Sequence, residues 1–411
     1  MRPLDIGVVG CGTAGPAAAL FLARQGHAVT VYERFEQPRA VGAGIILQPT
    51  GQAVLAKLGL LEPVLAKGAR LDGLEVVHPD GSTLLELRYA DVDARLFGLG
   101  LHRGVLFEAL HGALCAQPGV TLRLGTPCEG LARAGVGKLG VVDEAGALHG
   151  RHDLVVVADG ARSRLRDDTG LARRVTPYPW GALWFVGRDD EGSFDGKLHQ
   201  VVDGTRTMLG LLPTGQGPSD DEHPDEARLM SLYWSLRADE LHALRARGLG
   251  AFRDRVLGLE PRAEALLDQV GHVDELLFSQ YHDVVLSPWN TRSVVHLGDA
   301  AHAMSPQLGQ GANLALWDAM VLAEAIAEEP SELVRALDRY SRERRGHLGY
   351  YQLVTRALTP FFQSDHDALG VLRDTLMPLA AKLRLGREAM LMGMCGAADG
   401  HPWRWVPGVL P

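Results

Sequence analysis

The sequence predicts an α/β fold: a parallel-sheet domain assembled from separated stretches of chain, an inserted mixed β-sheet domain, and a helical C-terminal end. Three observations predict it. Short, mostly apolar runs bounded by glycine or acid (Leu4–Val9, Ala28–Tyr32, Asp153–Ala158, Val294–Leu297) have the character of buried parallel strands. Stretches of period-two alternation lie between them, and helical patterning dominates from Ala312 to about Cys395. Residues 1–72, 98–172 and 274–345 are assigned to the parallel-sheet domain, 73–97 and 173–273 to the inserted sheet, and 346–411 to the helical end.

Each element has a local cause. Residues 13–26 are rich in alanine and leucine, Pro16 falls in a first helical turn where its missing N–H is harmless, and Gly26 stands where a C-cap belongs. With the runs on either side this makes a βαβ unit. Asp80-Gly81, between Gly73–Val77 and Ser82–Leu87, signals a hairpin, and Gly104–Ala116 is patterned as a helix. Residues 178–213 alternate, with turn signals at Asp189-Asp190 and Asp203-Gly204, so antiparallel strands are expected. Gly215–Asp225 has the composition of a mobile loop, and helix is expected from about 226 to 268. Ala312–Glu328 reads as a helix stopped by Pro330.

The bulk numbers narrow the function. Of 411 residues, 46% are hydrophobic and 22% charged, the balance of an ordinary globular enzyme. A net charge of −9 argues against nucleic acid or an anionic membrane as the main partner. No apolar run is long enough to span a bilayer, and the N-terminus lacks a charged-then-apolar leader, so a cytoplasmic protein without a transmembrane segment is expected. Cys11, Cys115, Cys128 and Cys395 are scattered, which points to neither a disulfide framework nor a metal site.

Three motifs carry chemistry. The first is Gly10-Cys11-Gly12-Thr13-Ala14-Gly15, with Glu33 ending the next strand. Its glycines permit a tight turn and close approach of a pyrophosphate to a helix N-terminus, and the carboxylate can accept hydrogen bonds from a ribose. Alone such a motif is weak. Here strand, turn, helix, strand and acid fall in Rossmann-like order, although FAD and NAD are not distinguished. The second motif runs Gly298-Asp299-Ala300-Ala301-His302-Ala303-Met304-Ser305-Pro306, then Gly309-Gln310-Gly311-Ala312-Asn313. Asp299 can bond ribityl or ribose hydroxyls, and the free N–H groups at Gly311 and Ala312 can stabilise charge on a flavin's pyrimidine edge. A second such site, far along the chain, calls for a long cofactor and favours FAD. The third is Asp153–Val157 followed by Ala158-Asp159-Gly160, then Arg162, Arg164 and Arg166, an acid at a strand's carboxyl end where α/β sheets place ligands. For Asp159 alone a helix cap is the commoner role.

Together these motifs resemble the single-component FAD-dependent aromatic hydroxylases, the para-hydroxybenzoate hydroxylase-like family, over roughly residues 1–345. Ser287-Pro288-Trp289 also fits that family's lead-in to the second motif. The resemblance implies non-covalent FAD and NADH or NADPH as a transient reductant. It also implies transfer of oxygen from O₂ to a small aromatic or phenolic substrate through a flavin hydroperoxide. Carried over by position, Gly10, Gly12 and Gly15, with Ala14, hold the pyrophosphate, and Glu33, with Arg34 beside it, meets the adenosine ribose. Arg39 and Arg103 lie near the cofactor, as do Asp159, Asp299, Gly311, Ala312 and Asn313, and Pro306 lies beside the flavin face. No residue is singled out as catalytic base: His199, Tyr178 and His302 are candidates, and for each a packing role competes. Substrate contacts are expected from 178–213 (Trp184, Phe185, Met208, Leu211) and from Leu47-Gln48-Pro49. A homodimer is compatible with the sequence.

Competing functions share the same domain. Trp403-Arg404-Trp405-Val406-Pro407 is similar to the Trp-x-Trp-x-Ile-Pro of flavin-dependent halogenases, but its proline comes one residue early and it lies at the chain's end, where it reads as a tail covering an apolar surface. An isoprenoid-type reductase of the same superfamily, or a ligand-sequestering flavoprotein without activity, would carry a FAD domain of this kind as well.

Overall fold

The computed structural model describes residues 2–39, 42–219 and 227–409. The four apolar runs, with Val120–Arg123 as a fifth strand the sequence reading did not name, form one parallel sheet in the order Val294–His296, Leu154–Val157, Asp5–Val9, Ala28–Tyr32, Val120–Arg123. One face carries the Ala14–Arg24 and Gly311–Glu328 helices, whose alanines let them pack closely against the sheet and each other. The other face meets a three-stranded antiparallel sheet (Cys128–Gly135, Lys138–Asp143, Leu148–His152), with Val9, Val155 and Val157 packed in a cluster that includes Val141. The contact is pinned by His152, which bonds the Tyr32 hydroxyl at 2.9 Å and Asp5 at 2.5 Å.

The inserted sheet is mixed and larger than the sequence suggests. Its order is Leu277–Leu286, Ala172–Arg188, Leu229–Arg237, Thr207–Gly215, Gly196–Asp203, Ala69–Val77, Gly98–His102, Gly44–Leu47, with Thr83–Arg88 paired to Ala69–Val77. Gly196–Asp203 and Ala69–Val77 run parallel, the other pairings antiparallel. The sheet thus draws strands from 44–47, 98–102 and 277–286, outside the stretches read as its own.

One element differs in kind. Residues 229–237, expected to be helical, form a strand between Ala172–Arg188 and Thr207–Gly215. Its side chains are buried on both faces save Tyr233 and Arg237, so the period-two signal is lost and the run looks like any apolar segment. Helix begins only at Leu241. Of the loop expected over 215–225, residues 220–225 lie outside the described residues.

Strand alternation gives the large sheet two unlike faces. Leu183, Phe185, Leu209, Leu211, Leu232 and Trp234 form one core with Phe252, Val256 and Leu266 of the helices after 240. Trp184, Leu212, Tyr233 and Tyr281 point the other way and join none of the three hydrophobic clusters.

The C-terminal end comprises helices Leu333–Phe362, Asp367–Lys382 and Arg384–Cys395, then a hairpin of Ala398–Asp399 and His401–Trp405. The first helix runs through the boundary drawn at 345/346. The tail packs Trp405, Val406 and Val409 on the main core while Trp403 stays exposed. No described helix is long and apolar enough to cross a membrane.

A buried ionic cluster ties these parts together. Asp318, fully buried, accepts from Gly298 N (2.8 Å), bonds His302 Nε2 (2.6 Å) and accepts from Arg344 Nε (2.7 Å). Burial alone would raise this carboxyl; the His302 and Arg344 charges outweigh it and hold the group down at about 2. Arg344 also bonds His347, which reaches the Gly396 carbonyl at 2.7 Å. Asp318→Ala strands a buried guanidinium, and a loss of about 3–5 kcal/mol of stability is expected. Chemical denaturation of the apoprotein measures it, and a loss below about 1 kcal/mol would show the cluster to be dispensable.

Candidate active site

The glycine turn has the geometry its spacing calls for. Gly10 has φ +101°, and a Cβ there would lie 2.4 Å from the Ala158 carbonyl; a Cβ at Gly15 would lie 1.9 Å from the Gly10 carbonyl. Those two glycines let strand, turn and helix close on one another. A Cβ at Gly12 would meet nothing within 4 Å, so the space in front of it is open. Glu33 is held in place by the turn, its carboxylate accepting from Cys11 N (2.9 Å) and Phe35 N (3.1 Å). Ala14 opens the helix and is buried behind it.

Asp159 follows the interior strand Leu154–Val157 and lies beside Gly10. Its Oδ1 is buried without a hydrogen-bond partner among the described residues. Burial pushes its carboxyl up to about 6, against the pull of Ser163, Arg166 and Arg34. A buried acceptor left bare at the carboxyl end of a parallel strand is what a ligand's hydroxyl groups would satisfy. Arg166, buried, braces this corner by donating to the Ala300 (3.1 Å) and Ala161 (2.8 Å) carbonyls, which joins the first strand-end acid to the second motif. The sequence signal for Arg166 is its place in the Arg162-Ser163-Arg164-Leu165-Arg166 run, but nothing there marks which arginine turns inward.

The second motif lies against the first. Gly298 packs on Ala14, and Asp299 follows as an exposed acid whose Oδ1 would lie 3.9 Å from a Cβ at Gly311. Gly311 begins the Gly311–Glu328 helix, so Gly311, Ala312 and Asn313 carry N–H groups of its first turn. The Asn313 side chain is not free for a ligand. Its Oδ1 accepts from Gln48 N (2.8 Å) and its Nδ2 donates to the Ile46 (3.0 Å) and Gly309 (3.1 Å) carbonyls, clamping strand Gly44–Leu47 to the helix start. Only its backbone remains available. Gln310 is likewise committed, donating to the Gly393 (3.1 Å) and Met394 (2.9 Å) carbonyls, so the C-terminal end braces the same turn.

The basic candidates are more dispersed. Arg103 begins the Arg103–Ala116 helix, exposed, with its Cδ close against Gly42. Arg34 lies 4.6 Å from the Phe35 ring centroid. Arg39 is exposed just before residues 40–41, which lie outside the described residues.

The base candidates separate. His199 is buried on the helix-covered face, between Glu75 (3.1 Å) and Glu260 (2.8 Å) and 5.2 Å from the Phe194 ring centroid, away from both motifs. Its polar surroundings are an ion network and its role is structural. His302 is consumed by Asp318. Tyr178 and Pro306 do come together. The Tyr178 hydroxyl hydrogen-bonds Thr359, and Thr359 bonds the Ser305 hydroxyl at 2.6 Å, one residue before the exposed Pro306. Burial foremost raises the Tyr178 phenol.

The substrate candidates divide by face. Phe185 and Leu211 belong to the helix-covered core, a correction to the sequence reading, whereas Trp184 and Met208 lie on the opposite face. Gln48 is buried and accepts from the Tyr89 hydroxyl at 2.6 Å. Sequence reasoning missed Tyr233 and Tyr281, half-buried on that inner face, and Gln363, which hydrogen-bonds Tyr281 and accepts from Gln307 at 3.0 Å. Tyr233 was hidden by the helical reading of its strand, and Gln363 by lying just past a long helix.

Comparison with known proteins agrees with this geometry. Residues 3–193 and 256–351 match the family model described as FAD binding domain. Kynurenine 3-monooxygenase of Salinispora arenicola is 29% identical, over 97% of this chain and 86% of its own. The 6-methylpretetramide 4-monooxygenase of Streptomyces rimosus is 31% identical, over 79% and 75%. Among solved structures, P. aeruginosa PqsL in complex with 2-aminobenzoylacetate superposes with a TM-score of 0.77 at 26% identity, over 90% of this chain and all of that one (100%). These comparisons do not favour a halogenase, a reductase or a non-catalytic flavoprotein. The chain therefore belongs to the FAD-binding-domain family and is a flavoprotein monooxygenase of the aromatic-hydroxylase type, dependent on FAD and NAD(P)H.

Proposed function

We propose that the glycine turn, Asp159, Asp299 and the helix start at Gly311 hold FAD, and that the substrate is a phenolic or heteroaromatic ring received by the inner face of the large sheet. The observation that carries this is the meeting of three sequence-distant motifs at one edge of the parallel sheet, with open space before Gly12 and a bare buried acceptor at Asp159. Bound FAD supplies the redox chemistry, accepting reducing equivalents from NAD(P)H and activating O₂. The protein's part is placement. The N–H groups at Gly311 and Ala312 stabilise negative charge at the helix start. Ser305, Thr359 and Tyr178 fix the Pro306 turn, and the inner-face aromatic side chains orient the ring and exclude water. The names of the relatives, two monooxygenases of kynurenine and 6-hydroxynicotinate and a probable synthase of a hydroxyquinolone, support an aromatic ring as substrate.

Homodimerisation is part of this proposal. The Asp367–Lys382 helix and the residue after it expose Leu372, Leu376, Leu379 and Leu383 along one side, an apolar strip of the kind that marks association. Sedimentation velocity should show a dimer, and a monomer at micromolar concentration would remove that part. A cytoplasmic location is proposed on the same footing, supported by four unpaired cysteines, and cell fractionation tests it.

Asp299→Ala is expected to cut flavin per chain several-fold while far-UV dichroism is unchanged, because it loses a charged acceptor worth about 1.5–3 kcal/mol. Unaltered flavin content would reduce Asp299 to a turn residue.

Turnover under ¹⁸O₂ should place one labelled oxygen in each product molecule, with added chloride or bromide making no difference. Label from water only, or product under nitrogen, would overturn the proposed hydroxylation.

A further inference from the structure

The inner face of the large sheet differs from a carboxylate-binding surface in a specific way. Trp184, Tyr233 and Tyr281 keep partial exposure, and with Leu212 they belong to none of the three hydrophobic clusters. These are large apolar walls that the protein itself does not fill, which is how ring-binding surfaces are built. Four of the arginines near these strands are held by two acids. At one end Arg206 and Arg237 both pair with Asp365, the former at 3.2 Å. Beyond it on the same side, Arg174 (3.1 Å) and Arg356 (2.9 Å) share the buried Asp283. Arg103 lies against Gly42 in the loop before strand Gly44–Leu47, and its charge acts on Tyr233, whereas the Tyr281 hydroxyl answers to burial and to Gln363.

What the face does offer is neutral and polar. Gln307 donates to Gln363 Oε1 (3.0 Å), and Gln363, almost wholly buried, hydrogen-bonds the Tyr281 hydroxyl. An amide and a phenol can donate to and accept from a carbonyl or hydroxyl on a ring. A carboxylate at the Gln363–Tyr281 edge would lose its hydration, and no cation among the described residues acts on the Tyr281 hydroxyl to offset that loss.

We propose that the substrate is an uncharged aromatic, a phenol or ring carbonyl compound without a carboxylate, whose polar edge is recognised by Gln363 and Tyr281. This rests on the inner face being the substrate surface, as proposed above, and it divides the range of rings that reading allows.

The test uses the FAD-loaded enzyme and matched pairs: 4-hydroxyquinoline against its 2-carboxylate, and 1-naphthol against 1-hydroxy-2-naphthoate. Binding is read from perturbation of the flavin absorbance, and coupling from stimulated NADPH oxidation. The neutral member of each pair should bind at least tenfold more tightly. Tyr281→Phe should weaken that binding several-fold at unchanged flavin content, and Gln363→Arg should reverse the preference toward the carboxylate. Equal or tighter binding of the carboxylates by the wild-type enzyme overturns the assignment of class. If no member of either pair binds or stimulates NADPH oxidation while carboxylated or neutral rings of other shapes do, recognition by this polar edge is overturned. Absence of stimulation by any aromatic compound would instead bring down the broader reading.

Discussion

The structure depends on the buried carboxylate of Asp318. It is the point at which the second cofactor motif, the Gly311–Glu328 helix and the Leu333–Phe362 helix meet, through Gly298 N, His302 and Arg344. Through Arg344 and His347 the same cluster reaches Gly396 and the C-terminal end. Burial and the Arg344 charge push His347 well below its usual value, so it serves as a neutral connector to a carbonyl. A cluster of this kind costs desolvation that an apolar core would not, and what it returns is geometry. Each member has an angular demand, so the turn from Gly298 to His302 has one way to sit on the helix that follows. The exposed Asp299, in the middle of that turn, is aimed by neighbours that are not exposed at all.

The same logic operates at the other strand ends. Glu33 is oriented by two backbone N–H groups from either side of it. Asp159 is left with a bare oxygen and a raised carboxyl, a local strain in electrostatics that a bound partner would relieve. Arg166 and Asn313 spend their polar atoms on backbone carbonyls and amides, and so hold the three motifs in register with one another. The groups proposed to face the ligand are few, and each stands on a group that faces inward.

This division explains what the sequence made legible. The glycine turn, the strand-end acids and the Gly-Asp block are local: a helix must start where the chain says, and an acid one residue past a buried strand has only one edge to occupy. The parallel sheet and most of the helices followed from the same rules. What failed was non-local. Residues 229–237 are a central strand buried on both faces, and nothing in nine largely apolar residues distinguishes that from a helix until its neighbours are known. His199 carries the right chemistry for a base, but its place is set by Glu75 and Glu260, which the sequence puts 124 and 61 positions away. Which side of a strand faces a ligand is equally invisible, because alternation gives the period and not the phase. Phe185 and Leu211 fell on the core side for that reason and Trp184 on the other.

Phase also has a consequence for how such a sheet can change. Leu183, Trp184 and Phe185 are consecutive, yet the outer two serve a core with helices after residue 240 and the middle one serves the open face. Substitution at inner positions alone leaves the helix-covered core and its packing intact, so the ligand surface can be rewritten at little cost in stability. A one-residue slip would exchange the two faces and destroy both. Register must therefore be fixed by something other than the ligand. One tie lies at the sheet's margin, the Asp283 pairings with Arg174 and Arg356; another joins a central strand to the last one, where the Ser231 hydroxyl accepts from Gly44 N at 2.9 Å. Around these ties the other positions of the proposed ring-binding surface, such as Trp184, can vary without loss of register.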